Sequence, residues 1–218
     1  MRIVATSDTH EPFPASFVPD GDVFIHAGDL MQSGYITEWD SRVESLRALP
    51  HKLKILVAGN HDIHMGLYAG PALQDLRRAG IHVLGMPTGI DTVTIMPDLT
   101  LQPNGNGKGV RLLGLPMVHN LPRWAFNFSD DFLNEYMENK KRADIVISHC
   151  PPAGVLDMSF GIKAYRKYLE EMEPDIWICG HIHEHGGESQ VVKRTTVYNV
   201  AAMDRNYDRA TPPTIIDL

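Results

Sequence analysis

The stretch KLKILVAGNHD, residues 52–62, joins an apolar run to polar groups that a core strand has no use for. Leu53, Ile55, Leu56, Val57 and Ala58 are near-continuously apolar, the pattern of a strand buried on both faces. Gly59 permits a tight turn, and Asn60, His61 and Asp62 follow at once. Two upstream segments have the same form. DVFIHAGD (22–29) ends on Gly28-Asp29, and RIVATSDTH (2–10) ends on Asp8-Thr9-His10. Between the second and third runs, Ile36, Trp39, Val43, Leu46 and Leu49 recur at helical spacing and Pro50 closes the segment, which predicts a helix over 36–50. Strand, helix and strand in this order form the βαβ unit of a parallel sheet.

Working outward, a short helix is expected over 71–79 with Gly80 as its C-cap. IHVLG (81–85), DTVTIM (91–96), LTLQP (99–103) and GVRLLGLP (109–116) read as strands, and the turn-rich PNGNGKG (103–109) suggests a hairpin between the last two. SDDFLNEYMENKKRA (129–143) reads as a helix capped by Ser129 or Asp130. DIVISHCPP (144–152) and DIWICGHIH (175–183) are further buried strands around a helix at 162–172, and SQVVKRTTVYNVA (189–201) reads as a hairpin. No internal repeat or linker divides the chain, so one domain over 1–218 is expected, with helices outside a pair of sheets.

The 218 residues carry a net charge of −7, with 43% hydrophobic and 22% charged positions, as in a water-soluble globular protein. The densest cationic run, Lys140-Lys141-Arg142, reads as the solvated end of a helix, so no stable nucleic-acid complex is expected. An anionic substrate would need local positive charge, which metal ions supply. Cys150 and Cys179 are no disulfide framework and fit a reducing compartment. With no signal peptide and no run near the ~18 apolar residues of a membrane span, a cytoplasmic protein is expected.

The C-terminal ends of the expected strands collect the chemistry. They hold Asp8 and His10, Asp29, Asn60 to Asp62, His149, and His181 with His183. In open α/β sheets ligands bind at this edge. Asp8 and His10 are two apart, so in extended chain their side chains face the same way and can grip one ion; His181 and His183 share that spacing and could serve adjacent ions. Carboxylates, imidazoles and one amide oxygen suit Mn, Fe, Zn or Ni. Taken singly, each motif is weak, and a lone D-x-H reads more often as a turn than as a ligand pair. His26 reads as a core histidine. His119, at a strand end, and His185, in a glycine loop, are candidates for substrate contact against the plain reading of loop histidines. Trp124 and Phe126 could pack their loop or stack on a base.

In this order, D-x-H (8–10), G-D (28–29), G-N-H-D (59–62), His149 and G-H-x-H (180–183) resemble the five-block signature of the calcineurin-like metallophosphoesterases. HAGDL, SHCPPAG, GHIHEHGG and the closing YNVAAMDRNYDRATPPTIIDL are similar to its MPPED or UPF0046-type branch. The resemblance implies an α/β fold, a four-layer α/β/β/α sandwich of two mixed β-sheets flanked by helices. It implies two divalent or trivalent ions ~3.5–4 Å apart. Asp8, His10, Asp29 and His183 would hold the first, and Asp29, Asn60, His149 and His181 the second.

The implied activity is hydrolysis of a small phosphate ester, a phosphodiester or a nucleotide-like compound, by a hydroxide between the metals. Asn60 and His61 would contact substrate, His61 would give a proton to the leaving oxygen, and Asp62 would orient His61. Ser/Thr protein phosphatases of this superfamily carry G-D-x-x-D-R-G, whose arginine clamps phosphate. Here GDLMQSG (28–34) has Gln32 and Ser33 instead, which argues against a phosphoprotein substrate. The competing readings are a phosphomonoesterase or nuclease on this scaffold, and a non-catalytic nucleotide or phosphate sensor.

Overall fold

A computed structural model describes residues 1–86, 91–96, 100–103, 107 and 109–218. The first sheet has the order β12-β1-β2-β3-β4. Strands β1 (Arg2–Thr6), β2 (Val23–Ala27), β3 (Leu53–Val57) and β4 (His82–Leu84) run parallel, with Ile3 opposite Val23, Val23 opposite Leu53 and Ile55 opposite His82. β12 (Thr214–Asp217) closes the edge antiparallel to β1, Ile216 opposite Ile3.

The second sheet has the order β10-β11-β9-β8-β7-β5-β6. Its parallel strands are β7 (Val110–Leu115), β8 (Ile145–Ser148), β9 (Ile176–Cys179) and β11 (Thr195–Asn199). The strands β5 (Thr92–Ile95), β6 (Leu101–Pro103) and β10 (Ser189–Val192) add antiparallel edges.

The period-two alternation of β1, β2 and β3 explains the layering. Ile3, Ala5, Ile25, Ile55 and Val57 point inward and meet Leu112, Ile145, Ile147 and Ile178 of the second sheet in one buried core. Val4, Phe24 and Leu56 point outward, onto Trp39, Val43 and Leu46 of α1 (Ile36–Arg47) and Leu76 of α3 (Ala69–Arg78). Val146 and Trp177, on the outer face of the second sheet, pack on Leu133 of α4 (Asp130–Glu138) and on Tyr165 and Leu169 of α5 (Lys163–Met172). Helix, sheet, sheet and helix are thus held by three apolar layers, each buried because the central strands are covered on both faces. Truncating a fully buried member such as Leu56 to Ala would cost roughly 2–5 kcal/mol.

Some expectations are revised. PNGNGKG does not join a hairpin, because β6 and β7 lie on opposite sides of β5; its turn falls largely outside the described residues. α4, capped by the Ser129 hydroxyl on the Phe132 N–H (3.3 Å), stops at Glu138. The cationic run beyond it is therefore not a helix end: Lys140 pairs with Asp91, and Arg142 with Asp144 and Asp175. The short α2 (Ile63–Leu67) and β12 are additions to the sequence reading. Among the described residues no helix is long and apolar enough to cross a membrane.

Candidate metal centre

The parallel strands β1, β2, β3, β8 and β9 end at one edge of the sandwich, and the chain leaves them by sharp turns. Ser7 hydrogen-bonds across to the second sheet through the Val200 carbonyl (2.9 Å), which brings the two sets of strand ends together. Asp8, His10, Asp29 and His181 all sit in the left-handed region, at φ of 50°, 50°, 55° and 68°. That conformation costs a residue with a Cβ on the order of 1 kcal/mol or more. Four such residues at one place mark backbone bent to aim side chains at a shared point. Gly28 (φ 100°) and Gly180 leave the room: a Cβ on Gly28 would overlap the His149 ring, and one on Gly180 would overlap Ser7 Oγ and Asp8 Oδ2.

Three imidazoles are fixed by the same device. The Nδ1 of His10 lies 3.0 Å from the Met31 carbonyl, that of His149 3.0 Å from the Ala27 carbonyl, and that of His183 2.9 Å from the Asp204 carbonyl. A carbonyl can only accept, so each Nδ1 carries the hydrogen and each neutral ring turns a bare Nε2 inward. Yet the Nε2 atoms of His10 and His183 stand 3.3 Å apart, and that of His183 is 3.4 Å from Asp8 Oδ1. Asp8 Oδ2 accepts from the Ser7 hydroxyl (2.5 Å) and the His181 N–H (2.9 Å), whereas Oδ1 is buried with no hydrogen bond among the described residues. Lone pairs and an orphaned carboxylate oxygen converge, which is the arrangement a cation fits.

A second convergence adjoins the first. His149 Nε2 is 3.0 Å from Asn60 Oδ1 and 3.3 Å from Asp29 Oδ1, and the His149 and His181 ring centroids are 5.0 Å apart. Among the described residues, donor atoms lie within 4.8 Å of one another in three groups: Asp8, His10 and His183; His10, Asp29 and His61; Asp29, His149 and His181. Asp29 belongs to two of them, so its carboxylate stands between two places where an ion could be held.

The electrostatics agree with the geometry. Burial pushes the Asp8 carboxyl up, but His183 and His149 more than offset this and hold it well below the usual range. Asp29 is held low against its burial by His149. Burial pulls His149 and His183 down, yet Asp29 and Asp8 respectively lift them to about 9. His181, buried beside His149, is pushed down to about 4.

His61 is held differently from the sequence expectation. Its Nδ1 faces the Gln32 carbonyl at 2.5 Å, its N–H donates to Asp29 Oδ1 (2.8 Å), and its Nε2 lies 3.9 Å from Asp29 Oδ2. Asp62 does not orient the ring. Its fully buried carboxylate accepts the backbone N–H groups of Gly59 (2.8 Å), Met31 (3.0 Å) and Asp29 (3.1 Å), and so ties the turn after β3 to the turn after β2. Burial and the nearby Asp29 charge push it up to about 7.

His119 and His185 both have partners within the chain. His119 bonds Asp130 (2.9 Å) through Nδ1 and the Phe160 carbonyl (3.1 Å) through Nε2, and His185 bonds Glu188 (2.9 Å). Both ring nitrogens of His119 are thus engaged within the chain. His26 is fully buried, as a core histidine should be, and reaches Thr9 Oγ1 at 3.0 Å.

Several contributors carry no sequence signal. The Met31, Ala27, Asp204 and Gln32 groups act through backbone carbonyls, which any residue has. Buried Arg42 reaches from α1 to the His10 carbonyl (2.6 Å). Where a phosphate-clamping arginine would stand, the Gln32 and Ser33 N–H groups bind the Glu38 carboxylate at 2.9 and 3.0 Å. Trp124 lies over His61, with ring centroids 4.1 Å apart, and Tyr207 sits against both His10 (5.0 Å) and His183 (5.1 Å).

Comparison with known proteins places this arrangement. Residues 1–185 match the calcineurin-like phosphoesterase family. A UPF0046 protein of Caenorhabditis elegans is 30% identical over 99% of this chain and 74% of its own length. Human metallophosphoesterase domain-containing protein 1 is 29% identical over 100% of this chain and 71% of its own. Among solved structures, the phosphopantetheinyl hydrolase of Mycobacterium tuberculosis superposes with a TM-score of 0.62 at 13% identity, over 94% of this chain and 90% of that one, a likeness of fold. With its strand-end histidines and carboxylates gathered at one edge of a two-sheet sandwich, the chain belongs to the calcineurin-like phosphoesterase family, in the branch of the UPF0046 proteins and metallophosphoesterase domain-containing protein 1.

Proposed function

We propose that residues 1–218 act as one domain that hydrolyses small phosphodiesters, nucleotide-like esters among them, at a dinuclear metal centre. Asp8, His10, Asp29 and His183 would hold one ion, and Asp29, Asn60, His149 and His181 the other. The observation that carries this reading is the position of Asp29 in two adjoining groups of close donor atoms, one with His10 and His61 and one with His149 and His181, beside the group of Asp8, His10 and His183 that holds the unpartnered Asp8 Oδ1. Divalent ions bound there supply Lewis acidity toward phosphoryl oxygens and a nucleophile at neutral pH.

The chain's own groups do the rest. With its Nδ1–H given to the Gln32 carbonyl, His61 in its imidazolium form carries a second hydrogen on Nε2, which it can pass to a leaving oxygen, becoming the neutral Nδ1–H ring and keeping the hydrogen bond on its far side. Its ring is pinned between His10 (centroids 4.7 Å apart) and Trp124, so little reorientation precedes the transfer. Asp62 contributes by fixing the turns that carry Asp29 and Asn60. The Glu38 anchor of Gln32 and Ser33 stands where a guanidinium clamp would, which favours a diester, with one charge fewer, over a phosphoprotein monoester.

The test is turnover of bis-p-nitrophenyl phosphate, p-nitrophenyl phosphate and a phosphoserine peptide by Mn²⁺-loaded protein. Hydrolysis of the diester, abolished by chelation and far weaker on the peptide, is expected. Comparable rates on the peptide would overturn the substrate assignment, and no turnover with two ions bound would overturn the enzymatic one.

A further inference from the structure

Trp124 stands out among the aromatic residues. The chain has three tryptophans, and Trp39 and Trp177 are buried at 1% and 0% exposure. Trp124 is 38% exposed, although its ring lies 4.1 Å from the centroid of the His61 imidazole, tilted by 38°. The His61 side chain beneath it is only 12% exposed. The indole therefore packs on His61 and still leaves a wide surface open to solvent at the edge of the metal-ligand cluster.

The segment that carries it is tightly held. The Trp124 N–H donates to the Leu121 carbonyl (3.0 Å), and the next N–H, of Ala125, donates to the carbonyl of Asn60 (3.2 Å). The Leu121 N–H is bound by the Asn127 side chain (2.9 Å), and Val118 exchanges backbone bonds with Phe126 and Phe128 at 2.9 and 3.0 Å. The segment 118–128 is thus closed on itself and fastened to the residue before His61. A ring carried on a fixed backbone and packed on His61 has less rotamer freedom left to lose, so a second ring can stack on it at a reduced entropic cost. A loop that needed only packing would have turned this side chain inward, as it does Phe126, which is 8% exposed.

We propose that Trp124 determines specificity for the leaving group of the ester: its free indole surface receives a flat, aromatic group attached to the oxygen that His61 protonates. This rests on the assignment of His61 to the leaving-group side. Any substituent on that oxygen must extend past His61, which Trp124 flanks only in part, its ring centroid 4.1 Å from that of His61. A planar group gains stacking contact with the indole, and an aliphatic group of equal size does not. Aromatic pairs are worth roughly 0.5–1.5 kcal/mol beyond area burial, a discrimination of about 2- to 12-fold.

The experiment measures binding rather than turnover. Mn²⁺-loaded protein is titrated calorimetrically with methyl benzylphosphonate and with methyl cyclohexylmethylphosphonate, anions of equal charge in which carbon replaces the scissile oxygen. Wild type is expected to bind the benzyl compound several-fold more tightly. Trp124→Phe should keep the preference, and Trp124→Leu should reduce the ratio to about one while retaining its metal. In wild type, the benzyl compound should also shield Trp124 fluorescence from acrylamide, a reading that needs no variant to fold.

Equal affinities in wild type, no binding of either compound, or a preference that survives in Trp124→Leu would overturn the assignment. Turnover of bis-p-nitrophenyl phosphate is read separately. Hydrolysis without benzyl preference removes the role of Trp124 alone. Benzyl preference without hydrolysis removes the enzymatic reading and leaves Trp124 as a ligand-binding residue.

Discussion

His10 and His183 are separated by 173 positions, yet their Nε2 atoms meet at 3.3 Å, each with its Nδ1 committed to a carbonyl. Two lone pairs cannot be neighbours at that distance without a positive charge between or beside them. In the metal-free chain that charge is a proton: Asp8, against the effect of burial, lifts His183 to about 9, and Asp29 does the same for His149. At pH 7 both rings are therefore protonated, and an ion must displace a proton to bind at either place. Apparent affinity should rise with pH, by up to tenfold per unit for each proton displaced, and level off above about 9. Calorimetry of Mn²⁺ binding in buffers of different ionisation enthalpy checks this. Release of no protons at pH 7 would contradict the assigned rings.

Asp8→Asn separates the two places. Asp8 Oδ1 is the orphaned atom of the first convergence and takes no part in the second, where Asp29, Asn60, His149 and His181 converge. Removing its charge should weaken the first ion by at least tenfold, as loss of a carboxylate ligand does, and leave the second nearly unchanged. Metal content after dialysis should fall from two ions toward one. Two ions retained would mean that Asp8 is no ligand.

Asp62 and His61 are neighbours in sequence with different duties, and their variants should differ in kind. Asp62 accepts three buried backbone N–H groups. Asp62→Asn would turn an amide nitrogen toward at least one of those donors, which should cost roughly 2–4 kcal/mol of stability. His61→Ala leaves that network intact, so its melting temperature should stay near wild type while kcat on a diester falls roughly 10²-fold or more. Thermal unfolding beside steady-state kinetics distinguishes the two. A stable Asp62→Asn protein with low kcat would return Asp62 to the chemistry.

Much of this site was legible because its signal is residue type at fixed places. Asp8, His10, Asp29, Asn60, His149, His181 and His183 all end core strands, and core strands buried on both faces announce themselves as apolar runs. The roles that were misread depend on direction. Asp62 follows His61, but the turn after β3 points its carboxylate back at Gly59 rather than at the ring. PNGNGKG marks a reversal, yet turn residues cannot say which strands pair, and β5 lies between the two it joins. β12 was missed because an edge strand with half-exposed Thr214 and exposed Ile215 and Asp217 lacks a continuous apolar run.

His26 supplies a test of the scaffold apart from metal. It is fully buried, its Nε2 meets Thr9 Oγ1 at 3.0 Å, and its Nδ1 has no partner among the described residues. Burial, which disfavours the charged ring, pushes its pKa down from 6.5 to about 3. Between those values the unfolded chain binds the proton and the folded chain does not, so stability must fall as pH drops below 6.5. Each unit is worth about 1.4 kcal/mol, so the loss approaches on the order of 4 kcal/mol by pH 3. His26→Gln keeps a hydrogen-bonding group for Thr9 but cannot titrate. It should be less stable than wild type at pH 7 and should lose less stability on acidification. Urea unfolding at pH 7, 6, 5 and 4 measures the difference, and parallel curves for the two proteins would show that His26 does not stay neutral in the fold.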